Sequence, residues 1–303
     1  MKHLFIVNPI AGGKDSTDEV RQKVSEIFDE SADVEVYVTR APLDAVDKIK
    51  AEAAKGDELR VYACGGDGTF NECVCGAALL ENVAVCPYPT GTGNDFCRMF
   101  GDESDLYRDL RALVNGSVHP IDLIECNGRY SANICSVGID ARIGTQVHKY
   151  TGIPVIGGAG GYVISAVVNL LRGITTRMHV TAADYDDDGE HTMVCVCNGR
   201  YYGGGFHPSL DARPDDGDLD IYIVRRVNLL QAIGCIGKYS KGRSDELPDR
   251  LVRHLHGDRV HITFDTEQVV NIDGEALFSK DVTMQLVPKA LKLIVPEGMK
   301  FFD

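Results

Sequence analysis

A chain of 303 residues exceeds the usual length of one domain and, at 44% hydrophobic, holds enough apolar sequence for two cores. With 25% charged residues and no linker-length run of Pro, Gly or Ser, its composition excludes a disordered or low-complexity protein. A formal net charge of -14 argues against nucleic acid as the main partner, because binding a phosphate backbone depends on clustered Lys and Arg.

The chain begins MKHLFIVNP, whose short apolar run before Asn8 reads as a strand and not as the apolar region of a signal peptide. Over the first 115 or so residues, apolar strand-like runs at 3–7, 34–39, 59–64 and 83–88 alternate with helix-like segments. One such segment carries Val20, Val24 and Ile27 at helical spacing behind Ser16 and Glu19, the signature of a capping box. Strands alternating with helices imply a parallel sheet covered on both faces, with ligands at the loops that leave the carboxyl ends of the strands.

Those loops are rich in glycine. The first strand runs into NPIAGGKDS, Asn8 to Ser16, where a Gly-rich turn before a helix offers unpaired backbone N–H groups and a helix dipole to phosphate. It is not a Walker A loop, since Asn8 stands where the first glycine is needed and Asp15 follows Lys14. The third strand ends in CGGDGTFNE, where Asn71 breaks the dinucleotide fingerprint, and the fourth in PTGTGNDF, Pro89 to Phe96. Three such strand ends on one edge of a sheet are harder to explain as turns than any one alone.

From about His119 the pattern becomes paired strands with turn signals. Asn127-Gly128 separates two β-rich runs, the acidic stretch Asp184 to Glu190 reads as a solvated hairpin tip, and further strands are expected at 219–224, 259–264 and 268–273. A helix is expected over Gly161 to Arg172, within the stretch Ile153 to Leu171, which Pro154, glycines, Ser165 and Asn169 disqualify as a membrane span. The ten cysteines lie mostly in apolar runs without a CxxC pair, and Cys195 and Cys197 share one face of a strand, so they read as reduced, buried thiols of a cytoplasmic protein. Between Arg225 and Arg259 basic residues outnumber acids, a local bias that would suit an anionic membrane surface.

NPIAGGK, GGDGTFNE, PTGTGNDF and a late IDGE at 272–275 resemble, in order and spacing, the catalytic fold of diacylglycerol kinases and related bacterial lipid kinases, a family shared with sphingosine and ceramide kinases. The resemblance spans nearly the whole chain. GGDGT alone is less specific, because NAD kinases and phosphofructokinases are similar there. The implied fold is a Rossmann-like three-layer α/β domain of the NAD kinase and diacylglycerol kinase type over residues 1–120, completed by 291–303, followed by an antiparallel β-sandwich over 121–290. The implied activity is transfer of the γ-phosphoryl group of MgATP to a lipid hydroxyl, with diacylglycerol as the first expectation. A soluble-substrate kinase such as an NAD kinase and a nucleotide-binding module without turnover are the alternatives.

Residue by residue, the resemblance gives ATP contacts to Asn8, Pro9, Ala11, Gly12, Gly13 and Lys14, to Thr39, to Gly65, Gly66, Asp67, Gly68, Thr69 and Asn71, and to Thr92 and Asn94. Asp67 and Asp95 match the acids that hold the magnesium of MgATP, and Glu275 matches the general base. A structural magnesium is implied at the turn ARPDDGDLD, with the Asp216 side chain and the backbone carbonyls of Arg213 and Asp218 as ligands. The chemistry suits these residue types: phosphoryl transfer needs in-line positioning and neutralised phosphate charge, magnesium takes one or two carboxylates, and an alcohol needs a proton acceptor within reach. Expected partners are ATP, a lipid alcohol and a transiently contacted inner membrane face, with pairing to a second copy of the chain left open.

Overall fold

The computed structural model describes residues 1–91, 93–146 and 173–303; the helix expected over Gly161 to Arg172 lies outside the described residues. The chain divides into two compact units, residues 1–123 with 287–303 and residues 124–286.

In the first unit, β1 (Lys2–Val7), β2 (Val34–Val38), β3 (Leu59–Gly65) and β4 (Val83–Pro89) form a parallel sheet in the order 2-1-3-4. The C-terminal part of β13 (Glu275–Val295) adds to its edge, with Lys292 and Leu293 pairing in parallel with Ala84 and Val85. Leu4 to Val7, Val61 to Cys64 and Val83 to Tyr88 are buried without alternation, as strands covered on both faces must be. The covering helices include α1 (Thr17–Ser25), α2 (Asp44–Ala53) and α3 (Asp67–Ala77). Phe5 stacks on Tyr62 at 4.3 Å in the middle of the sheet. Helix α1 starts where expected but without the capping box: the Ser16 side chain makes no cap bond, and Asp15 Oδ1 instead accepts the Thr17 N–H at 2.9 Å. Glu19 is drawn away by Lys23, 3.0 Å from it one turn on.

At one corner of this unit Glu52 is surrounded by Lys2, Lys48 and Lys55 at 2.7 to 2.9 Å, with Glu35 bridging Lys2 and Lys48. Burial opposes the charge on Glu52, but the three ammonium groups prevail and hold its pKa at about 2.

The second unit is antiparallel. The first hairpin joins the end of β5 (Ser117–Cys126), from Ile124 on, to β6 (Arg129–Ser131), and Asn127 and Gly128 both take positive φ at its two-residue turn. The remaining strands are β7 (Ile134–Gly138), β8 (Thr176–Ala182), β9 (Tyr185–Cys197), β10 (Leu219–Arg225), β11 (Val252–Gly257) and β12 (Arg259–Ile272). They pair in the order β11-β10-β9-β7-β12-β13, while β8 pairs with both β9 and β12. Alternation distributes successive residues between two cores: Val194, Val196, Ile221 and Ile223 enter one, Met193, Cys195, Tyr222 and Val224 the other.

Two expectations change here. The acidic run is not a hairpin tip. Its residues from Tyr185 onward form β9, and the turn is shifted to Ala183 and Asp184, with Asp186 and Asp188 paired diagonally across the ladder to His179 and Arg177, at 2.6 and 3.1 Å. The stretches at 259–264 and 268–273 belong mainly to one strand, β12, with an irregularity between Thr263 and Gln268. All ten cysteines are free and eight are buried; Cys195 and Cys197 do share a face, with sulfurs 3.7 Å apart. Among the described residues no helix is long and apolar enough to cross a membrane.

Candidate active site

The order 2-1-3-4 reverses between β1 and β3, and a parallel sheet opens a crevice at such a reversal. The loops leaving β1 and β3 flank that point. After β1, the Asn8 N–H donates to the Cys64 carbonyl at 3.1 Å, and its side-chain amide donates to the Thr69 hydroxyl at 3.2 Å, joining the first loop to the third. Ala11–Gly13 then make a single tight turn in which Gly12 and Gly13 take φ of 65° and 73°, a region that side chains with a Cβ avoid. A Cβ on Gly12 would also stand 2.9 Å from the Thr90 carbonyl oxygen, so the first loop lies against the fourth strand's loop. Lys14 is exposed, its ammonium 3.9 Å from Glu19. Thr39 follows β2, with its N–H and hydroxyl both directed to the Val7 carbonyl.

The loops after β3 and β4 are closer still. The Gly65 carbonyl accepts both the Thr90 and the Gly91 N–H at 3.0 Å, and a Cβ on Gly91 would sit 2.8 Å from Gly66 Cα. Gly66 caps α3, whose first turn of Asp67, Gly68 and Thr69 has N–H groups without carbonyls four residues earlier to receive them. Helix α3 is buried along most of its length, including Thr69 and Asn71, which fixes that turn in place. Asn94 takes a left-handed φ of 55°, held by its side chain on the Gly91 carbonyl at 2.9 Å, and starts the short α4 (Asp95–Arg98).

The two acids meet across these loops. Asp67 Oδ1 accepts the Asp95 N–H at 2.6 Å, and its other oxygen fills the space that a side chain on Gly93 would take. Burial pushes the Asp67 carboxyl up, against the N–H groups of Asp95, Asn94 and Phe96 that favour its ionised form. Asp95 is buried, with Arg98 Nε 3.2 Å away. Thus the predicted residues Asn8 to Gly13, Gly65 to Asn71, Asn94 and Asp95 come together in one cluster of loops. Thr92 lies outside the described residues.

Glu275 and the turn Arg213 to Asp218 belong to the second unit. Glu275 is exposed and follows Asp273 and Gly274, both at positive φ. Asp273 accepts from the Ser131 hydroxyl at 2.6 Å and from the N–H groups of Ile134 and Ala132 at 2.8 and 3.0 Å, while Asn271 accepts the Gly274 N–H at 2.8 Å. The residue before the glycine therefore builds the turn that presents Glu275, a role the sequence signals only as an Asp at a hairpin corner. In the other turn Asp216 Oδ1 accepts the Asp218 N–H at 3.1 Å around Gly217, and Asp215 is paired with Arg213. Of the basic residues after Arg225, Arg226, Lys238, Arg243 and Arg253 each meet a carboxylate.

Two family models match with little sequence between them. Residues 2–126 match the diacylglycerol kinase catalytic domain, and residues 133–295 match the YegS C-terminal NAD kinase beta sandwich-like domain. The chain belongs to the YegS-type diacylglycerol kinase family. A relative from this family, named "Probable lipid kinase YegS-like" and found in Shewanella frigidimarina, is 25% identical, with 95% of this chain and 93% of the relative aligned. A crystal structure described as a diacylglycerol kinase from Bacillus anthracis is also 25% identical; it superposes with a TM-score of 0.69 and covers 99% of this chain and 98% of its own. The fold is accordingly the α/β and β-sandwich pair of the YegS-type kinases, and membership of a kinase family brings ATP with it as phosphoryl donor.

Proposed function

We propose that the chain is a magnesium-dependent lipid kinase that phosphorylates diacylglycerol to phosphatidic acid at the inner face of a membrane. The observation that supports it most is the convergence of three glycine-rich strand ends, carrying Asp67 and Asp95, at the reversal point of a diacylglycerol kinase-type sheet.

The bare backbone of Gly12, Gly13, Gly65, Gly66 and Gly68 and the first turn of α3 suit the phosphates of ATP, with Asn8, Pro9, Ala11, Lys14, Thr39, Thr69, Asn71, Thr92 and Asn94 as further contacts. Asp67 and Asp95 carry hard oxygen donors on adjoining loops joined by the Asp95 N–H bond to Asp67, residue types that fit magnesium. When bound, magnesium would neutralise phosphate charge during transfer. Glu275 takes the proton of the lipid hydroxyl as its oxygen bonds to the γ-phosphorus and the bond to the β-phosphate oxygen breaks, releasing ADP. The turn at Asp216, with the carbonyls of Arg213 and Asp218, suits a second, structural magnesium.

Contact with the membrane is assigned to α5 (Leu229–Tyr239), where Leu230 and Ile236 are exposed apolar residues beside the basic segment. Sedimentation with anionic vesicles tests it: binding that is indifferent to Leu230→Asp and Ile236→Asp removes the assignment.

The decisive experiment follows labelled phosphate from ATP to diacylglycerol, to other lipid alcohols and to NAD, in wild type and Glu275→Gln. Labelled phosphatidic acid in the wild type and its loss in the variant are expected. Transfer to NAD with none to lipid overturns the function, and undiminished transfer in Glu275→Gln removes the base.

A further inference from the structure

Strands β10 and β11 place Asp220 directly opposite His256, and His254 is two residues before His256 on the same face. Both imidazoles turn their Nε2 toward one carboxylate oxygen: Asp220 Oδ1 is 2.6 Å from His254 Nε2 and 4.0 Å from His256 Nε2. The three candidate ligand atoms all lie within 4.8 Å of one another.

The outer nitrogens are engaged as well. His254 Nδ1 meets Asp245 Oδ1 at 3.1 Å, and His256 Nδ1 meets Asp218 Oδ2 at 2.8 Å. With each Nδ1–H donating to its own carboxylate, a metal that displaces the proton His254 Nε2 shares with Asp220 would find both Nε2 lone pairs directed at the shared centre, the arrangement in which proteins hold imidazole ligands for metals. The ring of His254 is further locked by stacking on Tyr222 at 4.4 Å. One histidine on one aspartate would be an ordinary ion pair; two imidazoles aimed at the same oxygen, each backed by a separate carboxylate, are not. Three carboxylates around two imidazoles also leave net negative charge even with both rings protonated, which a dication would cancel.

We propose that Asp220, His254 and His256 bind a divalent transition ion of the zinc type. Zinc bonds of about 2.0–2.1 Å in a tetrahedron put ligand atoms about 3.3 Å apart, between the two distances observed, and leave the fourth position to water. Two imidazoles disfavour magnesium and calcium, which take oxygen ligands. The site shares no ligand atom with the turn carbonyls and Asp216 discussed above. The ion would cross-brace β11, the edge strand of its sheet, to β10.

The test is a titration of untagged, chelator-stripped protein with zinc against a chromophoric competitor, repeated with cobalt to read the visible bands of imidazole-ligated metal. One zinc per chain is expected, retained in excess magnesium and in Asp216→Asn, with a higher melting temperature on loading. His256→Ala, at a side chain that is 62% exposed, should abolish tight uptake, and Asp245→Asn should weaken it by about 10–100-fold. Absence of zinc uptake, displacement by magnesium, or equal uptake by the His254→Ala/His256→Ala double variant overturns the proposal.

Discussion

Gly91→Ala adds one methyl group where two loop backbones touch. Gly91 does not use a positive φ, so alanine can adopt its backbone and the effect is purely one of space. The new Cβ would lie 2.8 Å from Gly66 Cα and 3.0 Å from Gly66 N. Carbon atoms settle at about 3.5–4.0 Å, so the loops must separate by about 0.7–1.2 Å. That movement stretches the Gly91 N–H bond to the Gly65 carbonyl, now 3.0 Å, past its useful range. Overpacking of this kind costs about 1–3 kcal/mol and a lost hydrogen bond about 1 more, which together should lower the melting temperature by about 5–10 °C. Because the same loops form the proposed nucleotide cradle, a displacement near 1 Å should also slow phosphoryl transfer by about 100-fold. Thermal melts, ATP titration and lipid phosphorylation measure the three effects. The control is Gly234→Ala, at an exposed helical glycine with open space around it, expected to stabilise by about 0.5–1 kcal/mol. A Gly91→Ala protein that melts, binds ATP and turns over like the wild type would refute the close approach of the loops and the cradle built on it.

Asp67→Asn keeps an oxygen for the Asp95 N–H, so its melting temperature should change little while phosphoryl transfer falls by about 100-fold or more; equal losses of both would make Asp67 a structural cap alone. Asp273→Ala removes the acceptor of three hydrogen bonds and should cost about 3 kcal/mol in urea denaturation, with kcat reduced through the misplaced Glu275 turn. Glu52 has its folded pKa depressed to about 2 from 4.5, so its contribution is complete above pH 4.5 and lost as pH falls toward 2. Glu52→Gln should therefore destabilise by about 1–3 kcal/mol at pH 7, and denaturation at pH 3 should find that gap narrowed; a gap independent of pH would contradict the charge network.

The parallel strands were legible because a strand covered on both faces must be apolar throughout, and Leu4 to Val7 or Val83 to Tyr88 admit few other readings. The three loops were legible because glycines at successive strand ends have a common cause. What stayed hidden depends on partners distant in sequence. Asp186 and Asp188 read as a solvated tip until the ladder brings His179 and Arg177 diagonally across from them, and charge that is paired across a ladder obeys different rules from charge at a turn. Ser16 and Glu19 had the right spacing for a capping box, but Asp15 and Lys23 competed for the same bonds at shorter reach. His254 and His256 are separated by the spacing that puts two side chains on one strand face, yet the third participant, Asp220, is fixed only by register with β10.

The buried cysteines have a practical consequence. Cys64, Cys73, Cys86 and Cys97 lie in the first unit and Cys126, Cys135, Cys195 and Cys197 in the second, and only Cys75 and Cys235 are partly accessible. Burial pushes the thiols of Cys64, Cys73, Cys86, Cys97, Cys135 and Cys197 well up, suppressing the thiolate that alkylating reagents attack. The chain therefore carries an internal clock for its own opening. Pulse alkylation followed by peptide mass mapping would time each half independently through four native reporters apiece, without introducing a label.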